Sequence, residues 1–294
     1  MQMIPRVGSK VRTRVTVVES GRRRVRDDQL AAEEPLEIRL QAAGETQTVA
    51  VTMRTPGSDF ELAAGFLHNE GIISEPAMVS GITYCVDADV DADQRYNIVN
   101  VGLRLTSLPE LATLERHFYT TSACGVCGKA SLDAIEMRDC PVLPAGPAIS
   151  PSLLTALPQK LRAAQGLFEA TGGLHAAGLF DASGTLMCLR EDVGRHNAVD
   201  KVIGWAFMQR KLPLHNCILL VSGRASYEIL QKSTVAGLPV VCAVSAPSHL
   251  AVDVARRFGV TLIGFLRGER LNVYAGAQRI QWNGQIGPEE IDSS

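Results

Sequence analysis

Short runs rich in apolar residues recur along the first hundred positions of the chain and predict β-strands, and the run 48–53 alternates so that Val49, Val51 and Met53 share one face. Strands are predicted at 14–19, 36–40, 48–53, 82–86 and 96–103. After the third strand, Thr55-Pro56-Gly57-Ser58 breaks the strand and starts a helix. Its apolar stripe consists of Phe60, Ala63, Ala64 and Leu67. The front of the chain is therefore predicted to be an α+β unit.

Beyond residue 150 the pattern becomes a regular succession of strands and helices. After two strands at 174–180 and 185–190 we predict helix 196–210, strand 217–222, helix 225–236, strand 240–244, helix 249–258 and strand 260–266. The runs 217–221 and 239–244 are apolar almost throughout, which is typical of strands buried on both faces of a sheet flanked by helices. We predict an α/β three-layer domain with a mixed sheet.

Four prolines, at positions 141, 144, 147 and 151, separate the two patterns. Proline stops regular structure and stiffens a linker. We place the domain boundary there, which gives an N-terminal α+β domain at 1–145 and a C-terminal α/β domain at 146–294. The first 26 residues carry eight Arg or Lys against one acid and are expected to form a solvated, partly mobile arm.

The composition is that of a soluble globular protein, with 46% hydrophobic and 20% charged residues and a net charge of −2. This charge excludes the overall basicity of a nucleic-acid binder. No apolar run approaches the ~20 residues of a membrane span. Seven irregularly spaced cysteines argue against a secreted disulfide framework, so we expect a cytoplasmic protein that does not bind the membrane.

Cys124 and Cys127 are the cysteines with the C-x-x-C spacing, which brings two sulfurs within reach of each other or of one metal ion. The following segment has good helix formers, so the pair is expected at a helix start, where the helix dipole and Lys129 favour a thiolate. A structural zinc site usually needs four ligands, and the chain offers no second pair, so we predict no metal. A chemically active thiol pair is favoured, while two half-buried structural thiols remain an alternative.

Polar loops precede each of the later helices, at the ends of strands where α/β sheets collect ligands. Their donors favour an anionic, nucleotide-like ligand. Asn197, Asp200 and Lys201 share one side of their helix, and that side is expected to be free for the ligand. The residues assigned to ligand binding in these loops and this helix are Arg195, His196, Asn197, Lys201, Ser222, Gly223 and Arg224.

Several runs taken together resemble one family. They are Cys124-Gly125-Val126-Cys127-Gly128, the runs 171–177 and 191–201, Ser222-Gly223-Arg224 and the run 264–268. In this order they resemble the formate dehydrogenase accessory sulfurtransferase family of the FdhD/NarQ type. The resemblance covers most of the chain after the N-terminal arm, and the run 191–201 is specific.

The resemblance implies a sulfurtransferase that acts as a sulfur carrier. It would take persulfide sulfur from a cysteine desulfurase and pass it to the molybdenum cofactor, bis-molybdopterin guanine dinucleotide, before the cofactor enters formate dehydrogenase. By resemblance, Cys124 carries the persulfide and Cys127 assists it. The implied cofactor contacts after the last strand are Phe265, Leu266, Arg267, Gly268, Glu269 and Arg270. The resemblance also implies a cytidine-deaminase-like second domain and a homodimer.

Three other functions compete with that of a sulfur carrier. A zinc deaminase needs an H-x-E segment and P-C-x-x-C, and here Ala123 stands in the proline position. A thiol-disulfide oxidoreductase places its C-x-x-C after the first strand of a compact unit, whereas this pair follows more than a hundred residues. A non-catalytic chaperone that binds the cofactor remains open, with the cysteines structural or regulatory.

Overall fold

The computed structural model describes residues 8–109, 142–282 and 285–286. Cys124 and Cys127, the predicted thiol pair, lie outside the described residues.

The front lobe consists of a long hairpin, a four-stranded sheet and one α-helix. The hairpin pairs β1 (Lys10–Glu19) with β2 (Arg22–Ala31). The sheet has the order β4-β3-β6-β5 and is built from β3 (Glu34–Ala42), β4 (Glu45–Arg54), β5 (Val79–Tyr84) and β6 (Ile98–Leu103). Helix α1 (Asp59–Asn69) buries its predicted stripe in the core of this lobe, and 3₁₀ turns lie at Pro76–Met78 and Ala92–Asn97. From Lys10 onward the expected arm forms a regular hairpin whose residues are mostly exposed, and its mobility stays a prediction.

The rear lobe is built around a six-stranded mixed sheet of order β12-β11-β10-β9-β7-β8. Its strands are β7 (His175–Asp181), β8 (Leu186–Asp192), β9 (Cys217–Val221), β10 (Val240–Ala243), β11 (Thr261–Arg267) and β12 (Arg270–Ala275). Its helices are α2 (Pro151–Ala164), α3 (Gly166–Thr171), α4 (Arg195–Met208), α5 (Tyr227–Val235) and α6 (His249–Arg257). A 3₁₀ turn at Ala277–Arg279 and the short strands β13 (Gln281–Trp282) and β14 (Gln285–Ile286) follow.

Helices cover both faces of this sheet. Helices α4, α5 and α6 pack on one face, where Val199, Ile229 and Val254 are buried against the strands. Helix α2 packs on the other face through Leu154, Leu157 and Leu161. A buried leucine side chain contributes about 1.5–3 kcal/mol, so each stripe holds its helix firmly. The predicted three-layer arrangement with a mixed sheet is confirmed, whereas the likeness to cytidine deaminases stays a prediction.

Helix α1 of the front lobe packs directly against helix α4 of the rear lobe. The two backbones meet at Gly65 and Gly204, where a Cβ added to Gly204 would lie 1.8 Å from the backbone oxygen of Glu61. Only residues without a side chain allow such an approach. Beside this contact, the guanidinium of Arg190 donates hydrogen bonds of 2.5 and 2.6 Å to the carboxylate of Glu61. The lobes are therefore packed together closely, and the boundary near residue 145 stays a prediction.

Candidate ligand-binding edge of the sheet

The rear sheet gathers most of the predicted ligand-binding residues at one edge. The parallel strands β8, β9, β10 and β11 end there, because β8 and β9 both pair antiparallel with β7. The antiparallel strands β7 and β12 begin at the same edge. Such an edge leaves loops and helix starts open to a ligand. Three loops matter here: the turn before α4, the loop 222–226 and the end of β11.

A β-bulge at the end of β11 turns Phe265 outward. Gly264 pairs with Asn272 and Arg267 pairs with Arg270, so β11 has one residue more than β12 between these pairs. Phe265 has a φ of 52°, in the left-handed region that favours glycine. The residue is 36% exposed. A phenylalanine in this conformation costs free energy and is held there by the surrounding strands, and such strained residues cluster at ligand-binding sites.

The remaining predicted contacts at this strand end differ in their environment. Arg267 is exposed, and its Nε donates a 2.9 Å hydrogen bond to the backbone oxygen of Val244. Gly268 has a φ of 54° in the turn to β12, and Glu269 and Arg270 are exposed. The side chain of Leu266 is fully buried in the core beneath α2. Leu266 can therefore reach a ligand through its backbone but not through its side chain.

The loop after β9 is tied into the edge through its backbone. The Ser222 hydroxyl accepts a 2.9 Å hydrogen bond from the Ala176 N–H, and the Ser245 N–H donates to the Gly223 oxygen at 3.3 Å. A Cβ on Gly223 would lie 3.3 Å from the Nδ1 of His175, so glycine lets that imidazole pack against the loop. Arg224 is exposed to solvent. The structure thus brings Ser222, Gly223 and Arg224 to the predicted edge.

The first turn of α4 presents Arg195 and His196 at this edge. The Nε2 of His196 lies 3.2 Å from the Ser226 hydroxyl and 3.4 Å from a carboxylate oxygen of Glu228. The hydrogen bond with His196 is the main reason why the pKa of Glu228 falls to about 2. Serine and acid share one ring nitrogen of His196, whereas a hydrolytic triad needs them on opposite nitrogens. The cluster therefore orients His196 and does not form such a triad.

Asp192, the last residue of β8, is fully buried and organises the turn into α4. One carboxylate oxygen accepts hydrogen bonds from the Gly194 N–H at 2.8 Å and the Asn197 amide at 3.0 Å. The other forms a 2.6 Å ion pair with Lys201 and accepts from the Thr55 N–H at 3.2 Å. Both oxygens are therefore occupied by groups of the protein.

The side of α4 that carries Asn197 and Lys201 is not free for a ligand, so that expectation is wrong. Asn197 is 8% exposed and Lys201 is 2% exposed. Lys201 donates a 2.9 Å hydrogen bond to the Thr55 oxygen, and Asp200 forms a 2.7 Å ion pair with Lys232. The physical reason is that the front lobe covers this side of α4. Polar groups of the front lobe pair with the polar side chains of α4. Cofactor binding by Asn197 and Lys201 stays a prediction.

His175, Ser226 and Glu228 are members of the edge that the sequence did not assign. Burial is the main cause that lowers the pKa of His175, and the nearby charges of Arg195 and His196 lower it further. His175 begins β7, and only the antiparallel pairing of β7 with β9 brings it to the ligand edge. The signal available in the sequence was its place in the run 171–177, which contributes to the family resemblance.

In the parts of the chain that the structure describes, no helix combines the length and hydrophobicity needed to cross a bilayer. Within the same ranges, no three His, Cys, Asp or Glu side chains are grouped so that they could hold a metal ion.

Comparison with known proteins gives concordant matches over nearly the whole chain. Residues 31–281 match the sequence model of the FdhD/NarQ family. Proteins named sulfur carrier protein FdhD are similar to this chain: that of Streptomyces coelicolor is 51% identical over 94% of this chain and 97% of its own length. The one from Mycolicibacterium paratuberculosis is 54% identical over 92% and 98%. A crystal structure of a candidate formate dehydrogenase accessory protein from Desulfotalea psychrophila has a TM-score of 0.71 at 25% identity, covering 92% of this chain and 99% of that one.

Proposed function

The chain belongs to the FdhD/NarQ family, and on that premise we propose that it carries sulfur for formate dehydrogenase. Cys124 accepts a persulfide sulfur from a cysteine desulfurase, and the sulfur passes to bis-molybdopterin guanine dinucleotide held as cargo at the edge of the rear sheet. The protein acts as a sulfurtransferase in the cytoplasm and works as a homodimer.

The acceptance step needs no outside oxidant or reductant. The Cys124 thiolate attacks the terminal, sulfane sulfur of the donor persulfide, and a new S–S bond forms. The old S–S bond breaks, and the donor cysteine leaves as a thiolate. Cys127, three residues away, can assist the later release of the sulfur.

The burial of the other described cysteines supports Cys124 as the sulfur carrier. Cys85, Cys188, Cys217 and Cys242 are all buried. Burial raises the pKa of Cys188 to about 12 and also raises the pKa of Cys217 and of Cys242. Such thiols stay protonated near neutral pH and are poor nucleophiles. We therefore expect the sulfur carrier among the cysteines outside the described residues, where Cys124 and Cys127 are close together in the sequence.

The exposed residue Phe265 is the observation that best supports a nucleotide-bearing cargo. A purine base can stack on such a ring, and the neighbouring Arg267 and Arg270 offer guanidinium groups for phosphates. The chain that links Cys124 to the rear lobe is long enough for sulfur transfer to this edge. Cys124 precedes Val142 by 18 residues, a length that spans up to about 60 Å when fully extended.

Replacing Phe265 by alanine is expected to weaken binding of GDP, used as the probe for the guanine nucleotide portion. Stacking of a base on an aromatic ring is worth about 1–3 kcal/mol, so the expected loss is about 5-fold to 150-fold. The glycine variant should lose binding equally but unfold at a higher temperature than the alanine variant, because glycine adopts the left-handed conformation without strain. Calorimetric titration and thermal unfolding measure these two effects. Unchanged GDP affinity in both variants would remove Phe265 from the site.

Persulfide formation tests the sulfur-carrier proposal directly. After incubation with a cysteine desulfurase and cysteine, mass spectrometry of the digested protein should show about 32 Da added to the peptide that contains Cys124 and Cys127. In the Cys127→Ala variant the added mass should remain, since Cys124 is the acceptor. Sulfur found only on peptides that contain Cys140 or the buried cysteines, or on none, would show that the proposal is wrong.

A further inference from the structure

The hairpin of β1 and β2 is a two-stranded sheet of its own. Among the described residues neither strand pairs with a third one. Its ten residue pairs make it about 30 Å long at about 3.4 Å per residue. Every residue from Arg22 to Asp27 is exposed. An isolated two-stranded hairpin is marginally stable in water, so a partner that covers this one would stabilise it.

The hairpin concentrates positive charge on a chain whose net charge is −2. Residues 10–31 carry six arginines and one lysine against three acids. The guanidinium of Arg24 lies 3.8 Å from the carboxylate of Glu19, and both side chains are exposed. Arg22 and Arg23 form no ion pair within the described ranges. Most of the positive charge of the hairpin is therefore available to a negatively charged partner.

The residue types of the hairpin favour contact with an acidic protein surface. Charged residues also protect an exposed strand edge from pairing with other chains, but lysine or glutamate serves that purpose equally well. Arginine is preferred where carboxylates are bound by two parallel hydrogen bonds, and it is enriched at protein interfaces. On the face that carries Arg23, Val18 is 71% exposed and Val25 is 64% exposed. This face can thus make both charged and apolar contacts.

The base of the hairpin lies beside the ligand-binding edge of the rear sheet. Strand β2 packs against helix α3, and Gln29 of the hairpin and Ala170 of α3 line one groove. The N–H groups of Leu167 and Phe168 in α3 donate hydrogen bonds of 3.0 and 2.7 Å to the carboxylate of Glu191. Glu191 is the last residue but one of β8, which ends at that edge. A protein that approaches the edge to receive a ligand therefore comes close to the hairpin.

We propose that the hairpin docks onto an acidic surface of the protein that receives the cargo. This inference rests on the proposed function, under which that protein is formate dehydrogenase without its cofactor. Arg22, Arg23 and Arg24 bind carboxylates of the partner, while Val18 and Val25 make apolar contacts with it. Docking through the hairpin orients the ligand-binding edge toward the recipient.

A triple variant with Arg22→Gln, Arg23→Gln and Arg24→Gln tests the docking in the full-length protein. Biolayer interferometry measures binding to formate dehydrogenase purified from a strain that cannot make the molybdenum cofactor. The affinity of the parent protein should fall about ten-fold or more between about 50 and 300 mM salt, because exposed charges are screened. At the lower salt concentration the triple variant should bind at least about ten-fold more weakly than the parent and depend less on salt.

The matched control is a second triple variant, with Arg104→Gln, Arg210→Gln and Arg256→Gln. It removes the same charge from exposed arginines elsewhere and should bind like the parent. Lysine at the three hairpin positions should keep part of the binding, since it retains the charge but not the planar guanidinium. All these variants should keep the melting temperature, the GDP affinity and the persulfide formation of the parent.

Four results would overturn the docking surface. They are a parent protein that does not bind the dehydrogenase, a hairpin variant that binds it like the parent, equal losses in both glutamine variants, and a hairpin variant that turns a dimer into monomers. The last would show that the hairpin joins two copies of this chain. Persulfide formation is measured without the dehydrogenase, so a failure of the sulfur-carrier proposal is distinguishable from a failure of docking.

Discussion

Formate dehydrogenase made in cells that carry only the Cys124→Ala variant should have activity close to background. Alanine cannot form a persulfide, and the cysteines in the described parts of the chain are buried thiols that cannot replace it. Activity measured in extracts of a strain without its own copy of the protein, complemented by parent or variant, gives the comparison.

Two accompanying measurements make this result specific. The variant should bind GDP with the affinity of the parent and unfold at the same temperature, since the proposed binding edge is built from other residues. Cys127→Ala should retain part of the activity, because Cys127 is assigned an assisting role. Full activity of Cys124→Ala would instead favour a cofactor-binding chaperone whose cysteines take no part in chemistry.

The Gly204→Ala variant should lose about 3 kcal/mol or more of unfolding free energy. The added Cβ would lie 1.8 Å from the Glu61 oxygen and 2.7 Å from the Gly65 nitrogen, so two helix backbones must separate. Overpacking commonly costs 1–3 kcal/mol, and backbone atoms yield less readily than side chains. Separation of α1 from α4 would also weaken the ion pair between Glu61 and Arg190. For a protein of this size, the expected fall in melting temperature is roughly 6 °C or more.

Gly166→Ala provides the control for this prediction. Gly166 is also helical, but a Cβ there meets nothing within 4 Å. Alanine forms helices better than glycine, although less so at a first helical residue than in a helix interior, so this variant should be as stable as the parent or slightly more stable. Equal stability of both alanine variants in chemical denaturation would show that the lobes do not depend on the close helix contact.

Much of the fold followed from periodicity. The regular alternation beyond residue 195 predicted helices and strands that agree with α4, β9, α5, β10, α6 and β11 within a few residues. Strands β2 and β12 were not predicted. β2 begins with three arginines and has little alternation, and β12 is a short, mostly half-buried strand at a sheet edge. Their pairing is set by the neighbouring strand rather than by their own pattern.

The run 191–201 shows where local pattern stops being sufficient. The sequence presents its polar residues as one candidate binding set. In the structure, Arg195 and His196 reach the ligand edge, whereas Asn197 and Lys201 hold the two lobes together. Lys201 donates its hydrogen bond to Thr55, 146 positions away. Helical spacing tells which residues share a side, but not what covers that side.

The sequence by itself determined the family, the order of most elements, the polar loops at the ends of strands and the thiol pair, because each depends on residues close together in the chain. Tertiary structure decided which of these polar residues remain accessible to a ligand. It buried Asn197 and Lys201 under the front lobe, brought His175 to the edge through antiparallel pairing and forced Phe265 into a left-handed conformation at a bulge. These outcomes depend on contacts between distant segments, whose geometry no local pattern of apolar and polar residues encodes.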